Sequence, residues 1–168
     1  MGHLEVWHGD ITELTIDAIV NAANARLAGG GGVDGAIHAA AGPALARAAV
    51  RHAPLPVGEA VVTPAFGLEP AIRFVVHTVG PRWSGGDAGE PELLRACYRR
   101  SLEVAAAAGA RAIAFPAIST GIYGYPRHPA AAIALEEASS AVGAGWDRVV
   151  LVAFDDETAG LYRSAVGR

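Results

Sequence analysis

The feature of this sequence that most constrains its fold is the alternation of short apolar segments with longer helical patterns. Six segments indicate strands, near Leu4 to His8, Ala18 to Asn21, Ala60 to Ala65, Ile72 to Val79, Arg111 to Ala114 and Arg148 to Phe154. Four stretches predict helices, at about Asp34 to Arg51, Pro91 to Ala108, Pro129 to Val142 and Glu157 to Val166. The predicted order of elements is therefore ββαββαβαβα.

This order is typical of the α/β class. Apolar strands that alternate with helices form a sheet covered on both faces, so we expect a three-layer α/β/α sandwich with a mixed, largely parallel central sheet. The two ββ steps predict some antiparallel pairing. Because ligands of such sheets bind beyond the carboxyl ends of the strands, we expect the functional loops at that edge.

The composition predicts one domain that spans residues 1–168. Hydrophobic residues make up 52% of the 168 residues and charged residues 18%. A chain of this length buries enough surface to form a core without disulfides or metals. The sequence contains no apolar stretch of transmembrane length and no signal-peptide pattern. With Cys97 as its single cysteine, we expect a cytoplasmic protein with no membrane partner.

The basic residues exclude several kinds of chemistry. All 13 of them are arginine, so the chain has no P-loop lysine, Schiff-base lysine or covalent lysine nucleophile. The net charge of −4 disfavours general binding of nucleic acid. A single cysteine excludes cysteine-based zinc sites, and no pair of histidines has a clear metal-ligand spacing. We therefore predict neither a metal nor a cofactor.

A run of glycines, Gly29 to Gly32, precedes Val33-Asp34-Gly35 at a predicted helix start. Glycines let the backbone approach an anion closely, and the first-turn amides stabilise its charge, so this loop predicts a phosphate site. A plain flexible loop is the alternative. The glycines also match G-x-G-x-x-G. In a Rossmann fold, however, the first glycine directly follows the strand, whereas here the segment Ala22 to Gly29 intervenes.

A second loop, Ser119 to Gly124, lies between the fifth strand and a helix and supplies two hydroxyls and two glycines. Two anion-binding loops together favour a diphosphate ligand. A nucleophilic serine is the alternative, because Ala117 to Gly121 is similar to the G-x-S-x-G elbow. We disfavour this alternative, since alanine replaces the first glycine and no Asp or His follows at a clear triad position.

Five polar residues near these loops are candidate site residues, and all but His38 have two interpretations. Asp10 follows the first strand and either accepts a hydrogen bond from an exocyclic amine or caps the next turn, which the spacing favours. Asn21 and Asn24 either bond to sugar hydroxyls or stabilise a turn. A carboxylate beside a phosphate site is unfavourable, so Asp34 either caps its helix or takes part in chemistry. His38 lies one turn later and is placed to orient Asp34.

The ordered motifs of this chain are Gly9-Asp10-Ile11-Thr12, Asn21-Ala22-Ala23-Asn24, Gly29 to His38, His77-Thr78-Val79-Gly80-Pro81 and Pro116 to Pro126. In this order, and over almost the whole chain, they resemble the macrodomain family and in particular its MacroD-type branch. The resemblance implies an ADP-ribose-binding domain. That branch removes mono-ADP-ribose from acidic side chains of proteins and deacetylates O-acetyl-ADP-ribose.

The resemblance also implies a role for each site residue. Asp10 binds the adenine amine with help from the main chain of Ile11, and Phe154 stacks on adenine. Asn24, Asp34 and His38 surround the distal ribose as the catalytic residues. The diphosphate is held by Gly30, Gly31, Gly32, Val33, Ser119, Thr120, Gly121, Ile122 and Tyr123, of which Tyr123 also packs on the distal ribose. At Gly32 we expect a conformation that a β-carbon would obstruct.

The expected partners are ADP-ribose, O-acetyl-ADP-ribose and mono-ADP-ribosylated proteins, with nucleic acid only as an ADP-ribosylated substrate. In the expected reaction, water attacks the anomeric carbon or the ester carbonyl, while Asp34 and a diphosphate oxygen orient it and Asn24 fixes the ribose hydroxyls. The missing lysine argues against the macrodomain branch with a covalent lysine intermediate, and the lone cysteine argues against zinc-using branches. A noncatalytic ADP-ribose reader is the alternative, because the same fold binds without hydrolysing.

Overall fold

The computed structural model of this protein describes residues 2–166. Within this range, six strands and five α-helices follow one another. They are β1 (His3–His8), β2 (Ile16–Ala23), α1 (Gly32–Ala41), α2 (Ala44–Ala49), β3 (Ala60–Pro64), β4 (Ile72–Val79), α3 (Glu90–Ala107), β5 (Ala112–Phe115), α4 (Arg127–Gly143), β6 (Arg148–Ala153) and α5 (Asp156–Val166). None of these helices combines the length and the apolar character that crossing a membrane requires.

The strands form one sheet in the order β1-β6-β5-β2-β4-β3. Every neighbouring pair is parallel except β3 and β4, which are antiparallel. The predicted mixed, largely parallel sheet is therefore confirmed, and so is antiparallel pairing at the second ββ step. At the first ββ step that prediction is wrong. β2 is mostly buried and lies at the centre of the sheet, whereas the half-exposed β1 lies at its edge.

Helices cover both faces of the sheet, which confirms the three-layer sandwich. On one face, apolar side chains of α3, α4 and α5 pack against β2, β5 and β6 in the larger core cluster, where Tyr98 and Tyr162 are fully buried. On the other face, Ile37 of α1 and Leu45 of α2 pack against Ile19 of β2 and its neighbours. The layer formed by α1 and α2 is the one that carries the first glycine loop.

The predicted helix from Asp34 to Arg51 is two helices. Gly42 ends α1 with a φ of +87°, and its N–H donates to the carbonyl of His38 at 2.9 Å. Pro43 follows as the N-cap residue of α2. A glycine in a left-handed conformation followed by proline is an ordinary end of a helix, so the sequence contained the signal for this break.

Candidate functional site

The predicted site residues follow strands that end at the same edge of the sheet. The strands β1, β6, β5, β2 and β4 are parallel, so their carboxyl ends lie together. Asp10 follows β1 and Phe154 follows β6. The loop Ser119 to Gly124 follows β5, and Asn24 follows β2. The fold therefore places site residues that lie more than a hundred positions apart in the sequence at the same edge of the sheet.

The first glycine loop has an open backbone at the start of α1. Gly31 is the N-cap residue, and no side chain caps the helix there. A Cβ atom at Gly31 or Gly32 would meet no heavy atom within 4 Å. The first amides of α1 are thus accessible to an anion. Among residues 2–166, no protein atom lies near the position of a β-carbon at Gly32, and a φ of +58° favours glycine there.

Asn24 and Asp34 both lie close to Gly30, near the position that its β-carbon would occupy. The Nδ2 of Asn24 donates to the carbonyl of Gly29 at 3.3 Å, and its Oδ1 accepts from the N–H of Arg26 at 3.1 Å. Asn24 therefore stabilises the turn, which was one of its two interpretations. A Cβ atom on Gly30 would lie 3.1 Å from Oδ2 of Asp34 and 3.4 Å from Nδ2 of Asn24. A β-carbon at residue 30 would therefore require Asp34 to shift by a few tenths of an ångström.

Asp34 is a buried carboxylate, 4% exposed. It does not cap α1, because its Oδ1 accepts a hydrogen bond from Nδ2 of Asn21 at 2.8 Å. The Nε2 of His38 lies 3.3 Å from the same oxygen but is not aligned for a hydrogen bond. Burial raises the pKa of Asp34, and the bond from Asn21 and the proximity of His38 oppose this rise. A carboxylate with a raised pKa accepts a proton from water more readily.

Asn21 and His77 belong to this buried cluster, and the sequence patterns did not reveal it. Asn21 is fully buried, so neither of its predicted interpretations describes it. It bonds instead to Asp34 and to Nδ1 of His77, at 3.2 Å. The signal was a polar residue near the carboxyl end of a mostly apolar strand, in β2 and again in β4. Buried polar side chains of this kind need partners. The amide nitrogen of Asn21 and both ring nitrogens of His77 have them, whereas Oδ1 of Asn21 has none within residues 2–166.

Ser119 is the most constrained residue of the second loop. It is buried with a φ of +68°. A Cβ atom at Gly80 would lie 2.2 Å from Oγ of Ser119, so the two segments pack together only because residue 80 is glycine. A nucleophilic serine needs a base bonded to its Oγ. Within residues 2–166 that oxygen has no hydrogen-bond partner, which gives the serine-hydrolase alternative no support.

The rest of the second loop closes on itself and exposes its tip. The N–H of Gly124 donates to the carbonyl of Gly121 at 3.0 Å, and the N–H of Tyr125 donates to that of Ser119 at 2.9 Å. Ile122 at the tip is 97% exposed. Thr120 folds back on its own turn, where its hydroxyl donates to the carbonyl of Ala117 at 3.0 Å.

Tyr123 contacts the segment that follows β4. Its carbonyl accepts from the N–H of Trp83 at 2.8 Å, and the guanidinium carbon of Arg82 lies 4.8 Å from the centre of its ring. The buried carboxylate of Glu90 orders this segment, and it accepts hydrogen bonds from the N–H groups of Ser84, Gly86 and Ala88. These backbone bonds lower the pKa of Glu90 to about 2.

Asp10 and Phe154 lie at the other end of the site. Oδ1 of Asp10 accepts from the N–H of Thr12 at 2.9 Å and from its hydroxyl at 2.7 Å, which confirms the capping role. No hydrogen bond within the described range involves the second oxygen of Asp10. The side chain of Ile11 is buried in the core, so only its main chain can meet a ligand. Phe154 is 87% exposed.

No three His, Cys, Asp or Glu side chains within residues 2–166 are grouped as metal ligands would be. The fold and the site define an α/β/α sandwich with two glycine-containing loops at the carboxyl edge of a parallel sheet and a buried carboxylate beside one of them. The Macro domain family model matches residues 20–134. The chain belongs to the macrodomain family.

Curated and solved relatives cover nearly the whole chain. An O-acetyl-ADP-ribose deacetylase of Citrobacter koseri is 53% identical over 165 residues, which are 95% of this chain and 92% of that protein. The Oceanobacillus iheyensis macrodomain with ADP is 43% identical, with a TM-score of 0.92 over 99% of this chain and 90% of that one. The Trypanosoma brucei macrodomain in complex with ADP-ribose is 42% identical, with a TM-score of 0.90 over 98% and 69%.

Proposed function

We propose that this protein binds ADP-ribose and hydrolyses its esters, removing mono-ADP-ribose from acidic side chains of proteins and deacetylating O-acetyl-ADP-ribose. The observation that carries the proposal is the buried carboxylate of Asp34 next to Gly30, in the loop that continues into the open backbone of Gly31 and Gly32. A proton acceptor then lies beside a helix N-terminus suited to a diphosphate. The relative named O-acetyl-ADP-ribose deacetylase and the macrodomain solved with ADP-ribose support the same substrate class.

In this proposal the ligand lies along the carboxyl edge of the sheet. Phe154 stacks on adenine, and the second oxygen of Asp10 accepts from the adenine amine while the first keeps its bonds to Thr12. The main chain of Ile11 assists. The diphosphate lies between the two loops and takes hydrogen bonds from residues drawn from Gly30, Gly31, Gly32, Val33, Ser119, Thr120, Gly121, Ile122 and Tyr123.

The distal ribose lies beside Asn24, Asp34, His38 and Tyr123. The free hydrogen of the Asn24 amide bonds a ribose hydroxyl, and the ring of Tyr123 packs on the sugar. Asp34 and a diphosphate oxygen orient one water. The oxygen of this water bonds to the anomeric or the acyl carbon while Asp34 takes one of its protons, and the bond from that carbon to the ester oxygen breaks. Attack at the anomeric carbon releases a carboxylate, whereas attack at the acyl carbon releases the ribose oxygen, to which Asp34 returns the proton. His38, close to the same carboxylate, stabilises its ionised form.

The test is a comparison of substrates with purified protein. We expect turnover, also in EDTA, of O-acetyl-ADP-ribose and of a protein with glutamate-linked mono-ADP-ribose. Serine-linked and arginine-linked conjugates should resist, because their bonds are not activated esters. Reaction in ¹⁸O-labelled water would show which carbon is attacked, since the label enters either the acid or ADP-ribose. Binding of ADP-ribose without turnover of either ester would identify a reader instead.

A further inference from the structure

The hydrogen bond that Asp34 receives is the end of a longer buried chain. Asn21 of β2 and His77 of β4 are directly paired across the sheet, and Thr63 lies on the next strand, β3. Nδ2 of Asn21 lies 3.2 Å from Nδ1 of His77, and Nε2 of His77 lies 3.1 Å from the hydroxyl of Thr63. Asn21 and His77 are fully buried, and Thr63 is nearly so. The chain runs from an edge strand to the proposed general base.

With Asp34 ionised, one assignment of the protons fits the contacts along this chain. It leaves Oδ1 of Asn21 without a hydrogen-bond partner among residues 2–166. The hydroxyl of Thr63 donates its hydrogen to the carbonyl of Pro64 at 3.1 Å. Its oxygen therefore accepts a hydrogen bond from Nε2 of His77. His77 then carries its proton on Nε2, and its Nδ1 accepts from Asn21. The amide nitrogen of Asn21 gives its other hydrogen to Asp34. Turning this amide over would put its oxygen 2.8 Å from a carboxylate oxygen, and two acceptors would then face each other.

His77 remains neutral in this environment. Burial, together with the proximity of His38 and His52, lowers the pKa of His77 to about 3. The centre of the His38 ring lies 6.3 Å from the centre of the His77 ring, and His77 is linked to Asp34 through hydrogen bonds of Asn21. A neutral imidazole with one fixed tautomer is therefore present throughout the pH range in which ester hydrolysis would be measured.

The two oxygens of Asp34 are thereby given different surroundings. Oδ1 is bonded to Asn21, whereas Oδ2 is the oxygen that lies against Gly30 of the exposed loop. Rotation of the carboxylate plane away from this orientation would break the bond from Asn21. An amide that is itself held in place by His77 opposes that rotation.

We infer that His77 is a positioning residue for the proposed hydrolysis: its tautomer, fixed by Thr63, orients the Asn21 amide, which holds Asp34 with one oxygen directed at the glycine loop. The inference rests on the proposed function. Neither His77 nor Thr63 touches substrate in it. A network with only a structural role would, in contrast, contribute to stability and leave the turnover number unchanged.

The sharpest test replaces Thr63, which lies in the edge strand β3 and outside both loops. In Thr63→Val the shape is kept but the buried Nε2–H of His77 loses its acceptor, so the tautomer that accepts from Asn21 is destabilised and the amide is held less firmly. We expect kcat on O-acetyl-ADP-ribose to fall about tenfold, while KM and the Kd for ADP-ribose stay within about twofold. Thr63→Ser keeps a hydroxyl and should recover most of the rate.

Thr78→Val is the matched control. Thr78 is also a buried threonine of the sheet, and its hydroxyl donates to the carbonyl of Glu59 at 2.8 Å, outside the chain. This variant should lose stability as Thr63→Val does but keep its kcat. A kcat for Thr63→Val equal to that of wild type, or a Thr63→Ser variant as slow as Thr63→Val, would overturn the inference.

A double-mutant cycle tests the route through the amide. Asn21→Ala should lower kcat by itself, and adding Thr63→Val should then change nothing further, because the chain is already broken. Effects that multiply would show that Thr63 acts by another route, which contradicts the inference.

Two NMR measurements do not depend on turnover. Nitrogen-15 spectra of wild type should show His77 protonated on Nε2 alone between pH 5 and 8. Carbon-13 spectra should show a higher pKa of Asp34 in Thr63→Val, because the bond from Asn21 lowers that pKa. A His77 protonated on Nδ1 in wild type, or an Asp34 pKa unchanged in Thr63→Val, would contradict the inference. Wild type that turns over neither ester would instead overturn the proposed function, and the spectra would still decide the arrangement of the chain.

Discussion

At one end of the site the side chains are buried and bonded to one another, whereas at the other end they are exposed. Asn21 and Asp34 are 0% and 4% exposed and already bonded. Phe154 at the other end is 87% exposed. The buried end is ordered by folding before any ligand arrives, which suits a group that has to hold a geometry for chemistry. The exposed end offers surface that a ligand can cover, which suits binding.

The glycine loop lies between the two ends, and a change there should affect both. Gly32→Glu puts a carboxylate at the N-terminus of α1, where the diphosphate is proposed to bind, and should abolish binding of ADP-ribose in calorimetry. The variant also places a side chain at a φ of +58°, a conformation that costs roughly 1–2 kcal/mol.

Two alanine variants separate these effects. Gly32→Ala has the same backbone strain without the charge, so it should lose stability but retain weakened binding. Gly31→Ala, at a φ of −95°, should keep its stability. Full affinity in Gly32→Glu would remove the helix N-terminus from the site.

Asp34→Asn should affect only the buried end. Hydrolysis should slow by about 10² or more, the scale expected when a positioned base is lost, while the Kd for ADP-ribose stays within about tenfold. Asp87→Asn, a change in an exposed loop, is the control and should be neutral. A wild-type rate for Asp34→Asn would refute the catalytic role.

The same variant should be more stable than wild type, and more so as pH rises. Burial raises the pKa of Asp34 in the folded protein, so ionising this carboxylate weakens the folded state. The wild type incurs this loss as pH increases from the ordinary aspartate range through the raised pKa, whereas the variant has no carboxylate to ionise there. Thermal melts between pH 4 and 8 should show a Tm difference that widens with pH. A constant difference would mean that Asp34 titrates normally.

Phe154→Ala should affect only the exposed end. Stacking of a base on an aromatic ring contributes about 1–3 kcal/mol, so the affinity for ADP-ribose should fall roughly 5- to 150-fold. At saturating substrate kcat should be unchanged, and so should Tm, because the ring is 87% exposed. Phe154→Trp should bind like wild type. Loss of kcat in Phe154→Ala would show that the two ends are not independent.

The smallest effect is expected at Asp10, where capping and binding share one carboxylate. Asp10→Asn can keep an oxygen towards Thr12, so its Tm should match wild type, while the loss of a charged acceptor weakens ADP-ribose binding about tenfold. Asp10→Ala should lose both stability and affinity. Equal affinity for wild type and Asp10→Asn in calorimetry would leave Asp10 as a cap only.

The sequence by itself determined the elements and the edge at which the loops gather. Periodicity is a local property, so strands, helices and the cap at Asp10 were readable, and even the missed break in the first helix had its signal in Gly42-Pro43. The parallel sheet then required the loops after the strands to meet. The roles of Asn24 and Phe154 towards a ligand remain predictions.

Only the tertiary structure decided which strands are neighbours and what Asp34 touches. β1 and β2 are consecutive in the chain but are separated in the sheet by β6 and β5. Asn21 and His77 meet because β2 and β4 pair in a register that puts these two residues opposite each other. Strand order and register depend on how the whole sheet buries its apolar faces, which no local pattern records. The environment that raises the pKa of Asp34 is therefore a property of the assembled sheet and α1, and not of the motif that contains it.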